Sequence, residues 1–174
     1  NMSISEDFDA DSNTQLAAVQ VPRFSHFRQD ANIGLAAHML QEMYRMVTQW
    51  QQELQEIEQH SLEITASGPV LAAWLETQTF KPGTTGKSIP TPYQPIDPIS
   101  LTTINPLANY RLCGLDEDGK LWTRPCSTAE IWNVRSAIVR YQQLKNLTDR
   151  QSKIELYIRQ ILEDLVHLRL KLED

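Results

Sequence analysis

One short stretch, YRLCGLDEDGKLWTRPC from Tyr110 to Cys126, holds most of the side chains that could do chemistry: Cys113, Cys126, the carboxylates Asp116, Glu117 and Asp118, and Trp122. Two thiols this close could form a disulfide, act as a redox pair or share a metal ion. Zinc sites need paired C-x-x-C or histidine spacing, which is missing, and His26, His38, His60 and His167 do not cluster along the chain. The acidic loop also fails as an EF-hand. With Gly119 at the invariant glycine, Gly114 takes the first ligand position and Pro125 the last. DFDADS at Asp7 has Ser12 where that glycine belongs and Ala18 at the final glutamate. The run KPGTTGKS, Lys81 to Ser88, ends like a phosphate-binding loop but has Lys81 in place of its first glycine, and Ile89-Pro90-Thr91-Pro92 forbids the helix that must follow. No nucleophile, base and orienting acid can be assembled, and no glycine-framed nucleophile elbow is present. The chain therefore reads as a protein that is not an enzyme and needs no cofactor.

The hairpin that carries the cysteines has a strong turn signal. Asp118-Gly119 suits a two-residue turn, because both positions tolerate positive φ. That turn would set Glu117 opposite Lys120, Leu115 opposite Trp122 and Cys113 opposite Arg124. Cys113, Leu115, Trp122 and Cys126 then share one face, while Tyr110, Leu112 and Leu121 share the other. The two thiols come out diagonal, so a disulfide needs a shift of register. Two small half-buried residues are the simpler reading.

Long helices must position this hairpin. Ala36, Leu40, Met43, Val47, Trp50, Leu54, Ile57, Ser61 and Ile64 recur at alternating steps of four and three, an a/d seam. This predicts a helix over 31–66, ended by Gly68 and Pro69. PVLAAWLETQ predicts a short helix over 69–78. Six prolines between Pro82 and Pro106 make 79–109 an extended connection. Ser127 and Glu130 fit a capping box, flanked by Cys126 and Ile131 as a hydrophobic staple, so the last helix is expected from Thr128 to 173. Its seam runs Ile131, Val134, Ile138, Tyr141, Leu144, Leu147, Gln151, Ile154, Ile158, Ile161, Leu165, Leu168 and Leu172. Three successive steps of three predict a local distortion in a continuous helix. The stretches Ala36–Ile64 and Leu144–Leu172 match in length, each roughly 42 Å as helix. Matched seams predict internal antiparallel pairing, with a homodimer through the same seams as the rival.

The expected fold class is mainly α: a long antiparallel, coiled-coil-like helical hairpin with a short extra helix and a small β-hairpin over 110–125. Residues 1–30 read as an acidic, partly ordered arm, and 31–174 as a single helical domain. At 174 residues the chain can bury a real core. A net charge of −6 disfavours non-specific nucleic-acid binding. No apolar run approaches the roughly 20 residues that cross a bilayer. The acidic start is unlike a signal peptide, and Met2 behind Asn1 reads as an unprocessed start. Cytoplasmic localisation without membrane insertion is the expectation.

YRLCGLDEDGKLWTRPC running into a long helix resembles a family of small uncharacterised cyanobacterial helical proteins. The resemblance covers the last third of the chain and implies a bacterial cytosolic setting. It carries no functional residue.

These readings point to a non-catalytic protein–protein interaction module, an adaptor or regulator. Its expected contact residues are Tyr93, Leu115, Trp122 and Arg124. Equally open is a core role in which Leu115 and Trp122 pack on the helices. Two alternatives remain. One is a nucleic-acid-associated regulator using the basic stretch 135–153, where Arg135, Arg140, Lys145, Arg150 and Lys153 spiral round the helix. The other is a redox-sensitive switch through Cys113 and Cys126.

Overall fold

The computed structural model describes residues 33–174. The expected acidic arm, the DFDADS run and His26 lie outside them. The described elements are α1 (Ile33–Ala66), β1 (Ala73–Gln78), β2 (Phe80–Pro82), β3 (Ser88–Pro90), β4 (Gln94–Ile96), β5 (Asn109–Leu115), β6 (Leu121–Pro125) and α2 (Ile131–Glu173). The chain divides into two compact units, residues 1–49 and 50–174. In the first, α1 is braced by an Arg45–Glu42 ion pair at 2.8 Å and by Thr48 Oγ1 donating to the Tyr44 carbonyl.

The mainly α expectation is overturned. A four-stranded antiparallel sheet, ordered β4-β1-β5-β6, and a separate β2–β3 hairpin make this an α+β fold. The decisive error lies at 69–78. Ala, Leu, Glu and Gln there favour helix, and Pro69 suits a helix start. Yet so short a segment cannot support a helix by propensity alone, and long-range pairing prevails. Residues 73–78 form β1, with Leu75 opposite Leu112 on β5 and Ile96 on β4. Ala73, Leu75 and Thr77 face one side, and Trp74, Glu76 and Gln78 the other. The Pro-rich connection also contains strands. Pro82 and Pro90 end β2 and β3, and Pro95 lies in edge strand β4, where a missing N–H is tolerated.

One face of the sheet builds the core. Leu75, Tyr110 and Leu112 pack with Ile131, Val134 and Ile138 of α2, closed by Leu101, Ala108 and Cys126. The 97–108 connection is pinned over this core by side chains. Asp97 Oδ1 accepts from Ile99 N–H, the Asn105 amide donates to the Tyr110 hydroxyl at 2.9 Å, and Arg135 reaches the Pro98 carbonyl.

Helix α2 runs unbroken from Ile131, three positions later than the capping box suggests. The Glu130 carboxylate reaches back to the Ser127 N–H at 3.1 Å, but the Ser127 hydroxyl turns to that same carboxylate, and the Glu130 N–H bonds to the Ser127 carbonyl. Within residues 50–174 the end of α1 lies antiparallel to the middle of α2. Arg150 holds Glu53 at 2.6 Å, and the Trp50 and Tyr157 rings are 5.7 Å apart. Ile57, Ile64 and Ile154 are buried there. Gly68, at φ 150°, turns the chain out of α1 beneath the Arg140 guanidinium, which donates to Ser67 Oγ and the Pro69 carbonyl. A Cβ on Gly68 would lie 2.8 Å from that guanidinium. The Leu71 N–H then bonds to the Ala137 carbonyl of α2, delivering the chain to β1.

Leu75 is fully buried at the centre of the sheet. Leu75→Ala is expected to cost about 2–5 kcal/mol, from lost transfer energy and the cavity left behind. Urea unfolding followed by far-UV circular dichroism measures it.

Candidate functional site

The β5–β6 hairpin forms, but in another register. Leu115 pairs with Leu121, Gly114 with Trp122, Cys113 with Thr123 and Leu112 with Arg124. The cause lies in Asp116. Its carboxylate accepts from the Asp118 N–H at 3.0 Å and the Lys120 N–H at 2.7 Å. Its main-chain N–H and carbonyl bond to the Lys120 carbonyl and the Gly119 N–H, each at 2.9 Å. The loop thus has three residues, Glu117 to Gly119, with Gly119 left-handed at φ 76°. One residue of slip carries each strand-partner to the other face.

The expected contact residues are therefore split. Trp122 and Arg124 share the core side with Leu112 and Gly114. Trp122 packs against the core and lies over Gly114, where a Cβ would come within 2.4 Å of its ring. Arg124 is 3.6 Å from Glu130 and donates to the Pro125 carbonyl at 3.3 Å. Tyr93 and Leu115 lie on the outer side. The cysteines are divided too. Cys126 belongs to the core cluster, while Cys113 sits on the outer face across from Thr123. The sheet separates the two thiols, and both are free.

On the outer face the strands assemble a polar set that the sequence reading missed. β1 supplies Trp74 and Glu76, and β5 supplies Arg111 and Cys113, registered Trp74 to Cys113 and Glu76 to Arg111. Arg111 Nε and Nη2 both donate to Glu76 Oε1, at 3.0 and 2.8 Å. The Cys113 thiol donates to the same oxygen at 3.4 Å. The Arg111 guanidinium also stacks on Tyr93, 3.9 Å from the ring centroid. Glu76 is only 9% exposed and Cys113 1%. The hydrogen bond from Arg111 holds the Glu76 carboxyl below its ordinary range against the opposing effect of burial, with Cys113 and Trp74 assisting. Burial pushes the Cys113 thiol up, and so does the adjacent Glu76 carboxylate. A thiol held protonated is a poor nucleophile and a poor metal ligand. Among the described residues no three His, Cys, Asp or Glu side chains are grouped to hold a metal ion. The only advance signal for this set was the alternation Trp74, Glu76, Gln78.

Next to these polar groups the outer face turns apolar. Leu115 and Leu121, a directly opposed pair, are each 58% exposed.

The basic stretch of α2 is largely committed within the chain. Arg135 ties the 97–108 connection, Arg140 the end of α1, and Arg150 Glu53.

Among the described residues no helix is long and apolar enough to cross a membrane. Comparison of the chain with protein-family models, curated proteins and solved structures gives no match.

Two measurements check this geometry. Trp122→Ala removes core packing over Gly114 and is expected to destabilise by about 3–5 kcal/mol in chemical unfolding. Glu76→Gln tests the outer ion pair through pH. A carboxyl whose folded pKa is lowered stabilises the protein above its ordinary value of 4.5, and that contribution fades as acid passes through the folded value. The stability gap between wild type and Glu76→Gln should be widest above pH 4.5 and close at lower pH, read from thermal midpoints across a pH series.

Proposed function

We propose that this protein is a cytoplasmic, non-catalytic protein–protein interaction module, an adaptor or regulator, whose outer sheet face receives the partner. The observation that supports it most is the exposed Leu115–Leu121 pair beside a polar set already satisfied within the chain. Such an arrangement suits docking. The apolar pair offers area to bury. The Arg111–Glu76 pair is held rigid by hydrogen bonds, so little side-chain entropy remains to be lost on association. Tyr93, fixed under Arg111, presents an aromatic edge to the same side.

The other two readings draw less support. With three arginines of the 135–153 stretch engaged internally, Lys145 and Lys153 are its remaining cations, a thin basis for phosphate contacts. A switch through Cys113 and Cys126 would require two buried thiols to meet through the sheet.

Leu115→Glu tests the proposal, since Leu115 is exposed and lies outside the core cluster. Affinity capture from native cells with wild-type and variant bait, read by quantitative mass spectrometry, should show partners retained by wild type and reduced roughly tenfold or more by the variant. Circular dichroism and thermal midpoint should stay unchanged. Equal recovery by both baits overturns the outer-face assignment.

A further inference from the structure

The two edges of the sheet differ in chemistry. On β4, Pro95 lies mid-strand between Pro92 and Pro98, removing a donor from the open side and blunting that edge. On β6 the only proline, Pro125, is the last residue. The ladder determines which β6 groups are open. Asp116 N–H bonds to the Lys120 carbonyl at one end, and Cys126 N–H to the Tyr110 carbonyl at the other. By antiparallel alternation, Trp122 and Arg124 bond inward to β5, while the main-chain groups of Leu121, Thr123 and Pro125 point away from it. The Leu121 and Thr123 N–H groups therefore face away from β5, on the open side of the strand. Four of the five residues of β6 are exposed, and Trp122 is half-buried.

We propose that this edge pairs with β6 of a second copy of the chain, antiparallel about a two-fold axis at Thr123, joining the two sheets into one. The segment Leu121-Trp122-Thr123-Arg124-Pro125 is complementary to itself in that arrangement. Thr123 faces its own mate, and each donates to and accepts from the other. Each Leu121 N–H meets the Pro125 carbonyl of the opposite copy. The prolines fall at the two ends, where each costs only a terminal bond. On the core side Arg124 comes opposite Trp122 of the second copy, twice by symmetry, a cation over an indole. On the outer side Leu121 meets Pro125, and Thr123 meets Thr123. The present holds on Arg124 are loose, 3.6 Å to Glu130 and 3.3 Å to the Pro125 carbonyl. That carbonyl keeps a second lone pair for the incoming N–H. A self-matching strand makes an isologous, closed contact, which stops at two copies.

This inference concerns the sheet edge and a second copy, so it stands or falls separately from the docking of another protein on the outer face. Light scattering on the full chain over a concentration series, with residue-resolved hydrogen exchange, tests it. Expected is a mass rising from 20.0 kDa to twice that value, with the Leu121 and Thr123 amides becoming protected in step. Thr123→Pro deletes an outward N–H that β5 does not use, and should hold the mass at 20.0 kDa with the wild-type circular dichroism spectrum. Three results overturn the proposal: a single-copy mass throughout, a doubled mass with both amides exchanging freely, or a folded Thr123→Pro variant that still doubles. Should that variant not fold, the exchange data on the wild-type chain decide.

Discussion

Leu75 and Leu112 face each other across the β1–β5 ladder, both almost wholly removed from water, and the rest of the fold follows from that contact. Strand β1 lies between β4 and β5, so seating Leu75 on the core side commits three strands at once. The same placement fixes the opposite face, because residues adjacent in a strand point apart. With Leu75 inward, Trp74 and Glu76 must face out, and with Leu112 inward, so must Arg111 and Cys113. The ion pair and its thiol are in this sense a consequence of core packing. Glu76 comes to rest opposite Arg111, and their register leaves the carboxylate accepting three hydrogen bonds from two side chains.

Sequence periodicity was informative where the repeat was long. The apolar steps of α2 extend far enough that no other period fits, and Gly68 at the end of α1 does what a glycine there should. Where elements were short, local preference misled. Residues 73–78 contain good helix formers, and the only sign against a helix was a brief alternation that gains meaning once β4 and β5 lie on either side. No property of the segment alone contains those partners, so it could not announce itself as a central strand. The prolines of 79–109 likewise suggested extended chain but did not show which residues sit at edges.

The hairpin illustrates a different limit. Asp118-Gly119 is a sound turn signal, and a turn does form around it. What the dipeptide does not encode is the competition from Asp116, whose carboxylate takes the amides of Asp118 and Lys120 and lengthens the loop by one residue. That single residue moved Trp122 inward beside Leu112 and Cys113 outward beside Glu76, and so divided four expected contact residues between two faces. What was legible of the outer face was half of it: Tyr93 and Leu115 lie there, whereas the placement of Glu76, Arg111 and Leu121 beside them emerges only from pairing.

The arginines of α2 carry the last step. A basic run on a helix suggests an acidic ligand, but here the guanidinium groups of Arg135, Arg140 and Arg150 end on a carbonyl, a hydroxyl and a carboxylate supplied by segments distant in sequence. Pro98, Ser67, Pro69 and Glu53 belong to chain that the hydrophobic core alone would leave loosely placed. Planar donors in a fixed fork suit this task better than lysine, since each can hold more than one acceptor. Arg140 shows the economy of it: one side chain closes the end of α1, accounts for the absence of a side chain at Gly68, and aims the next residues at β1. Charges used in this way are withdrawn from external recognition. On the sheet, by contrast, the Leu115–Leu121 pair at the hairpin stays exposed, beside the outward-facing main-chain groups of β6.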